Sequence, residues 1–170
     1  STFLLENGVS IYGGFAGTET LLTQRNISLH VTTLSGDIDQ VTGNANNAYQ
    51  VVVASSVSLA AVLDGFTITA GNSNGNTGHG GGVYIQDASP ALTNLVISDN
   101  NASANGGGMF VLSIASLRAN YSRPSLENVI FSNNSAARGG GLYTQNSSPV
   151  LLNVTFSGNT ATGGAGGGMN

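Results

Sequence analysis

Few side chains in this sequence belong to types that do chemistry, and their spacing limits what each could do. Asp37 and Asp39 form an Asp-x-Asp pair in the turn-like stretch Leu34-Ser35-Gly36-Asp37-Ile38-Asp39. A hard cation such as Ca2+ takes clustered carboxylates, so this pair is the candidate metal site. A turn that satisfies its own backbone uses the same residues, and the Gly-Gly-x-Gly-x-Asp nonapeptide that binds Ca2+ in repeat proteins does not occur. His30 and His79 each stand without a second ligand nearby in the sequence, so neither reads as a metal site. A polysaccharide lyase or hydrolase needs paired carboxylates for acid and base work. Asp64, Asp99 and Glu127 are the acids available beside the best strands, and the repeat described below puts them in non-equivalent or separated slots. Arg118, Arg123 and Arg138 lie in or near loops. The reading expects no catalytic residues, no cofactor and, apart from that Ca2+ candidate, no metal.

Composition excludes further classes. The chain has 170 residues, 4 basic and 8 acidic, for a net charge of −4, and none of the basic residues is Lys. Nothing here can neutralise a run of phosphates or hold an anionic membrane surface, so nucleic acid is excluded as a partner. No apolar run reaches the ~18 residues of a membrane span, so direct insertion by this segment is not expected. Charged residues make up 7%, hydrophobic residues 40%, and there are 25 Gly. Val, Ile, Thr, Ser, Asn and Gly form a strand-and-turn vocabulary rather than a disordered one. No Cys is present, so disulfides and thiolate sites are absent.

The elements that must position these residues come in repeats. Pro90-Ala-Leu92-Thr-Asn94-Leu95-Val-Ile97-Ser98-Asp-Asn100 leads to Gly106-Gly107-Gly108-Met109-Phe110. Pro124-Ser-Leu126-Glu-Asn128-Val129-Ile-Phe131-Ser132-Asn-Asn134 leads to Gly139-Gly140-Gly141-Leu142-Tyr143. Pro149-Val-Leu151-Leu-Asn153-Val154-Thr-Phe156-Ser157-Gly-Asn159 leads to Gly166-Gly167-Gly168-Met169. A more worn copy starts at Ala61 and reaches Gly80-Gly81-Gly82-Val83-Tyr84. The equivalent Asn residues are 34 and then 25 positions apart, which means loops inserted into a constant unit. Gly triplets and β-branched runs exclude a helical repeat. The fold expected is all-β: a right-handed single-stranded parallel β-helix with inserted loops, one domain over 1–170, irregular over 1–60 and regular over 61–170. The stretch 166–170 stops within a repeat, and the reading expects a piece of a longer solenoid.

Within a unit the period is 2, so Leu95 with Ile97, Val129 with Phe131 and Val154 with Phe156 face the core. Thr67, Val96, Ile130 and Thr155 take the outward slots. Asn94, Asn128 and Asn153 sit at a bend, where Asn tolerates the left-handed conformation, and Gly65 occupies the same slot. Asn100, Asn134 and Asn159 are expected to stack as a second amide ladder. Tyr84, Phe110 and Tyr143 are expected to point outward and stack, either as an aromatic strip for sugars or partners or as a ladder that stabilises the sheet. Earlier strands are expected at Phe3–Leu5, Val9–Tyr12, Thr32–Leu34 and Tyr49–Val53, a turn at 13–17, and loops at 18–30, 40–48, 70–79 and 112–123. Of six Asn-x-Ser/Thr sequons, the one at Asn153 is expected to be buried in the bend.

The Gly-Gly-Gly-apolar motifs and the Phe-x-x-Asn pairs (Phe131 with Asn134, Phe156 with Asn159) resemble the repeats of chlamydial polymorphic outer-membrane proteins. Asn7-Gly8-Val9-Ser10-Ile11-Tyr12-Gly13-Gly14-Phe15-Ala16-Gly17-Thr18-Glu19 and the Leu34–Asp39 stretch are similar to large secreted β-helix proteins of environmental bacteria. The resemblance covers nearly the whole chain. It implies an autotransporter-like passenger, export, and an extracellular role at the bacterial surface, and it carries no catalytic residues to transfer. The expected function is a structural or adhesive module, filament-forming if its ends pair with copies of itself or with other subunits. Otherwise the expected partners are surface glycans and host or neighbouring cells. The alternative is a polysaccharide-binding or polysaccharide-degrading β-helix.

Overall fold

The computed structural model describes residues 2–39, 43–75, 78–114 and 122–170. They form a parallel β-helix of five coils. The first coil holds β1 (Phe3–Leu4), β2 (Ser10–Tyr12) and β3 (Thr32–Ser35), with one 3-10 turn at Leu22–Gln24. The second holds β4 (Val52–Ser55), β5 (Val62–Asp64), β6 (Phe66–Thr69) and β7 (Asn72–Ser73). The third holds β8 (Val83–Gln86), β9 (Ala91–Ser98) and β10 (Asn101–Ala102). The fourth holds β11 (Met109–Leu112), β12 (Ser125–Ser132) and β13 (Ser135–Arg138), and the fifth β14 (Leu142–Gln145), β15 (Val150–Ser157) and β16 (Thr160–Ala165). Among the described residues no helix is long and apolar enough to cross a membrane.

The strands stack into three parallel sheets. One runs β1-β4-β8-β11-β14, the second β2-β5-β9-β12-β15 with β3 and β6 alongside, and the third β7-β10-β13-β16. Pairing is in register, so each residue lies over its equivalent: Leu95 over Val129 over Val154, and Ile97 over Phe131 over Phe156. The inner columns are fully buried at Leu63, Leu92 and Leu126, at Leu95 and Val129, and at Ile68, Ile97 and Phe131. Phe131 and Phe156 stack with ring centroids 5.0 Å apart.

The bend inside the long strands follows from one residue. Asn94, Asn128 and Asn153 have φ of 51°, 55° and 52°, and Gly65 has 84°. A left-handed residue in an otherwise extended run turns the strand without breaking its ladder, and Asn and Gly adopt that conformation at least cost. These Asn side chains point out of the core, and Asn153 is exposed, not buried. A bend turns its convex side to solvent, so the side chain at its apex leaves the core.

Other expectations shift in place. The fourth early strand lies at Val52–Ser55, leaving Tyr49 exposed. Within 70–79, Asn72–Ser73 form β7, β11 runs into the 112–123 segment, and residues 40–42, 76–77 and 115–121, with Arg118, lie outside the described residues. The third sheet was not anticipated. Its strands are short and polar (Asn72-Ser73, Asn101-Ala102) and show no alternation of apolar residues.

The second Asn column forms an internal amide ladder. Asn100 and Asn134 are 1% and 0% exposed. The Asn100 backbone N–H and Nδ2 both donate to Asn134 Oδ1, each at 3.1 Å. Asn134 donates in the same way to Asn159 Oδ1, at 3.1 and 2.9 Å, and also to the Ile97 carbonyl at 2.8 Å. Removing this amide strands several buried groups, each costing about 1–3 kcal/mol. Asn134→Leu should therefore lower the unfolding free energy in urea by roughly 3 kcal/mol or more. A loss no larger than that of an exposed control such as Gln145→Ala would show that the ladder contributes little.

Candidate functional site

Three groups of side chains carry the chemistry of the outer surface. The first surrounds Asp64. Its carboxylate is buried at the start of the bend ladder. Asn153 Nδ2 donates to Asn128 Oδ1 (2.8 Å), Asn128 to Asn94 Oδ1 (3.0 Å), and Asn94 to Asp64 Oδ1 (2.8 Å). In the second coil the Asn slot is Gly65, which has no acceptor, and Asp64 supplies one from the adjacent position. Its other oxygen, Oδ2, pairs with Arg25 Nη2 at 2.6 Å. Arg25 comes from the long insertion between β2 and β3. It also reaches the Asp64 carbonyl at 3.3 Å and lies 5.3 Å from the Tyr12 ring centroid. Nothing local in the sequence marks Arg25 for this position, because the pair spans the insertion and a whole coil.

The acids are arranged by register. Asp64, Thr93 and Glu127 occupy one column, so Asp64 and Glu127 stand two rungs apart with Thr93 between them. At a rung spacing of ~4.8 Å their backbones lie about 10 Å apart. Glu127 is exposed, whereas Asp64 already has both oxygens engaged. Asp99 lies outside this column, at another bend, with φ 56°. Arg123 is an exposed loop residue, and Arg138 ends β13 beside the Gly139 turn.

The second group is the aromatic ladder on the first sheet. Tyr84, Phe110 and Tyr143 pair rung to rung. Tyr84–Phe110 and Phe110–Tyr143 each have centroids 5.6 Å apart, with planes within 24° and 14° of parallel. His79 stacks on Phe110 as well, at 4.5 Å and 10°. Sequence reading left His79 isolated; the ladder recruits it from the preceding turn. Phe110 is 1% exposed. Its faces are covered by other rings, so it has none to offer a sugar. The neighbours of these rings are one another, which is the arrangement that stabilises a sheet.

Burial lowers the His79 pKa below its ordinary 6.5, and its Nδ1 is buried with no hydrogen-bond partner among the described residues. Burial also raises the Tyr84 pKa, with Asp87 adding to the effect.

The third group is the Asp37–Asp39 loop. The Asp37 N–H donates to Ser35 Oγ at 3.1 Å, and Asn46 Nδ2 donates to Asp39 Oδ2 at 3.0 Å. A depression of about 480 Å³ beside it is lined by residues including Ile38, Asn46, Tyr49 and Gln50, and neither carboxylate lines it. Among the described residues no group of three or more His, Asp or Glu is placed to hold a metal ion.

No family model, curated protein or solved structure matches this chain. Any functional reading therefore rests on the residues themselves and on the repeat they build.

Two outcomes follow from these geometries. Removing one partner of a largely buried ion pair leaves an uncompensated charge and costs about 3–5 kcal/mol. Arg25→Met should approach that loss in urea unfolding, whereas Arg25→Met combined with Asp64→Asn should recover much of it, because an amide at 64 still accepts from Asn94. Equal losses in the single and double variants would show that the charge is not the cause. For His79, a folded-state pKa below the unfolded one means that unfolding takes up a proton. The His79 contribution should be fully present above pH 6.5 and lost as pH falls through the folded value, and His79→Phe should flatten that part of the stability–pH curve. An unchanged slope in the variant would assign the dependence to other groups.

Proposed function

We propose that this chain is a non-catalytic structural or adhesive module of an extracellular bacterial surface or filament-forming protein. The observation that carries the reading is where the polar chemistry goes. Asn, Asp64 and Arg25 hold one rung to the next, and the aromatic rings stack on one another, so the reactive side chains serve the scaffold. A solenoid of this kind extends by adding rungs and suits stalks, fibres and adhesins. The similarity of its Gly-Gly-Gly and Phe-x-x-Asn repeats to chlamydial polymorphic outer-membrane passengers supports export and surface display. Its partners are then copies of itself or other subunits stacked end to end, or surface glycans and host or neighbouring cells.

A second reading, a polysaccharide-active β-helix, draws on the Asp64–Glu127 column. The engagement of both Asp64 oxygens weighs against it, because a general acid or base needs access to the substrate.

Electron microscopy of the native protein on cells and in the medium, labelled with an antibody to this chain, tests the first reading. Label should follow filaments or the cell surface. Label confined to free monomer in the medium, together with release of reducing ends from a polysaccharide that Glu127→Gln abolishes, would replace it with the second.

A further inference from the structure

One outer face is left out of every ladder described above. On β3, β6, β9, β12 and β15 the residues between the core positions point outward in two columns. The first is Thr33, Thr67, Val96, Ile130 and Thr155. The second is Ser35, Thr69, Ser98, Ser132 and Ser157. All are exposed or half-buried. None is charged and none is aromatic, although the flanking positions include Glu127 and Asp99.

All but one of the hydroxyls of this face are unspent. Elsewhere Thr2, Ser58, Ser73, Ser122 and Thr162 donate to neighbouring groups. Of the eight hydroxyls on the face, Ser35 accepts from the Asp37 N–H. The other seven make no hydrogen bond among the described residues. The face thus presents free hydroxyls and methyl groups on a grid of ~4.8 Å between rungs and ~6.6 Å between columns. Side-chain ladders keep a multi-stranded sheet flat, and the two Asn ladders flank this one. Thr, Val and Ile are stiff at χ1, so the grid is largely organised before anything binds.

The chemistry of such a grid selects its ligand. Without charge it has no means to hold nucleic acid, an anionic membrane or an ionic peptide. Without aromatic faces it lacks the platform on which sugar rings stack. What remains is a partner that repeats in two dimensions and meets hydroxyls and methyls at regular intervals. Ordered water does so, because it can bond to each free hydroxyl and lie against each methyl at the regular rung spacing of ~4.8 Å. We propose that this face binds ice. Thr and Ser hydroxyls would take lattice positions, and the methyls of Thr, Val96 and Ile130 would order the water between them.

The purified chain tests this directly. It should partition onto a growing ice surface, shape the crystal and slow recrystallisation. Ile130→Lys and Thr155→Lys place a solvated charge on the face at exposed positions and should abolish all three effects. Gln145→Lys, exposed on a different sheet, should retain them. Far-UV circular dichroism and urea midpoints matching the parent would show that the face variants still fold. The proposal is overturned if the parent does not adsorb to ice, if Gln145→Lys loses as much as the face variants, or if the parent is retained by cellulose or chitin but not by ice.

Discussion

Each coil must set its backbone donors and acceptors against those of the coils on either side, a rung at a time, and in a parallel sheet this places every side chain over its own equivalent. Like therefore stacks on like, and the chemistry of each column must tolerate that. Aliphatic and aromatic residues do, which is why Leu95, Val129 and Val154 can share a column. An amide also does, because it donates in one direction along the stack and accepts from the other. A carboxylate does not, since two in contact repel. The two Asn columns follow from this constraint. Where Asn gives way to Gly65, the carboxylate that fills in is neutralised by Arg25.

The same constraint explains the glycine triplets. A Cβ on Gly107 would collide with the carbonyls of Ser135 and Gly140 in the next coil, and one on Gly108 with the Gly141 carbonyl and the Asn134 amide. At this corner the backbones of successive coils approach so closely that no side chain fits between them. That approach lets the internal amide ladder run fully buried beside the glycines.

The outer surface divides by how much of its chemistry is used. On the first sheet, the faces of Phe110 are taken up by Tyr84, Tyr143 and His79. At the bend, amides and one ion pair are taken up by one another. On the β3-β6-β9-β12-β15 face seven of the eight hydroxyls make no hydrogen bond among the described residues, and this contrast with the rest of the solenoid is the ground for the recognition surface proposed above.

Much of this could be read in the residues. The alternation in Leu95-Val96-Ile97 separates core from surface because side chains alternate along a strand, and Asn at the bend declares a left-handed residue because few others accept one. Repetition of these units dictates a parallel β-helix, since only stacking buries the inner face. The third sheet could not be read, because Asn101-Ala102 and its equivalents have no hydrophobic period and become strands only when a neighbouring rung supplies the partners. Tertiary structure alone decided the Arg25–Asp64 pair, the placing of His79 on Phe110, and the burial of Phe110 in a ladder expected to be exposed. Each depends on contacts between coils or across an insertion, and sequence spacing does not encode which side chain a loop will lay against its neighbour.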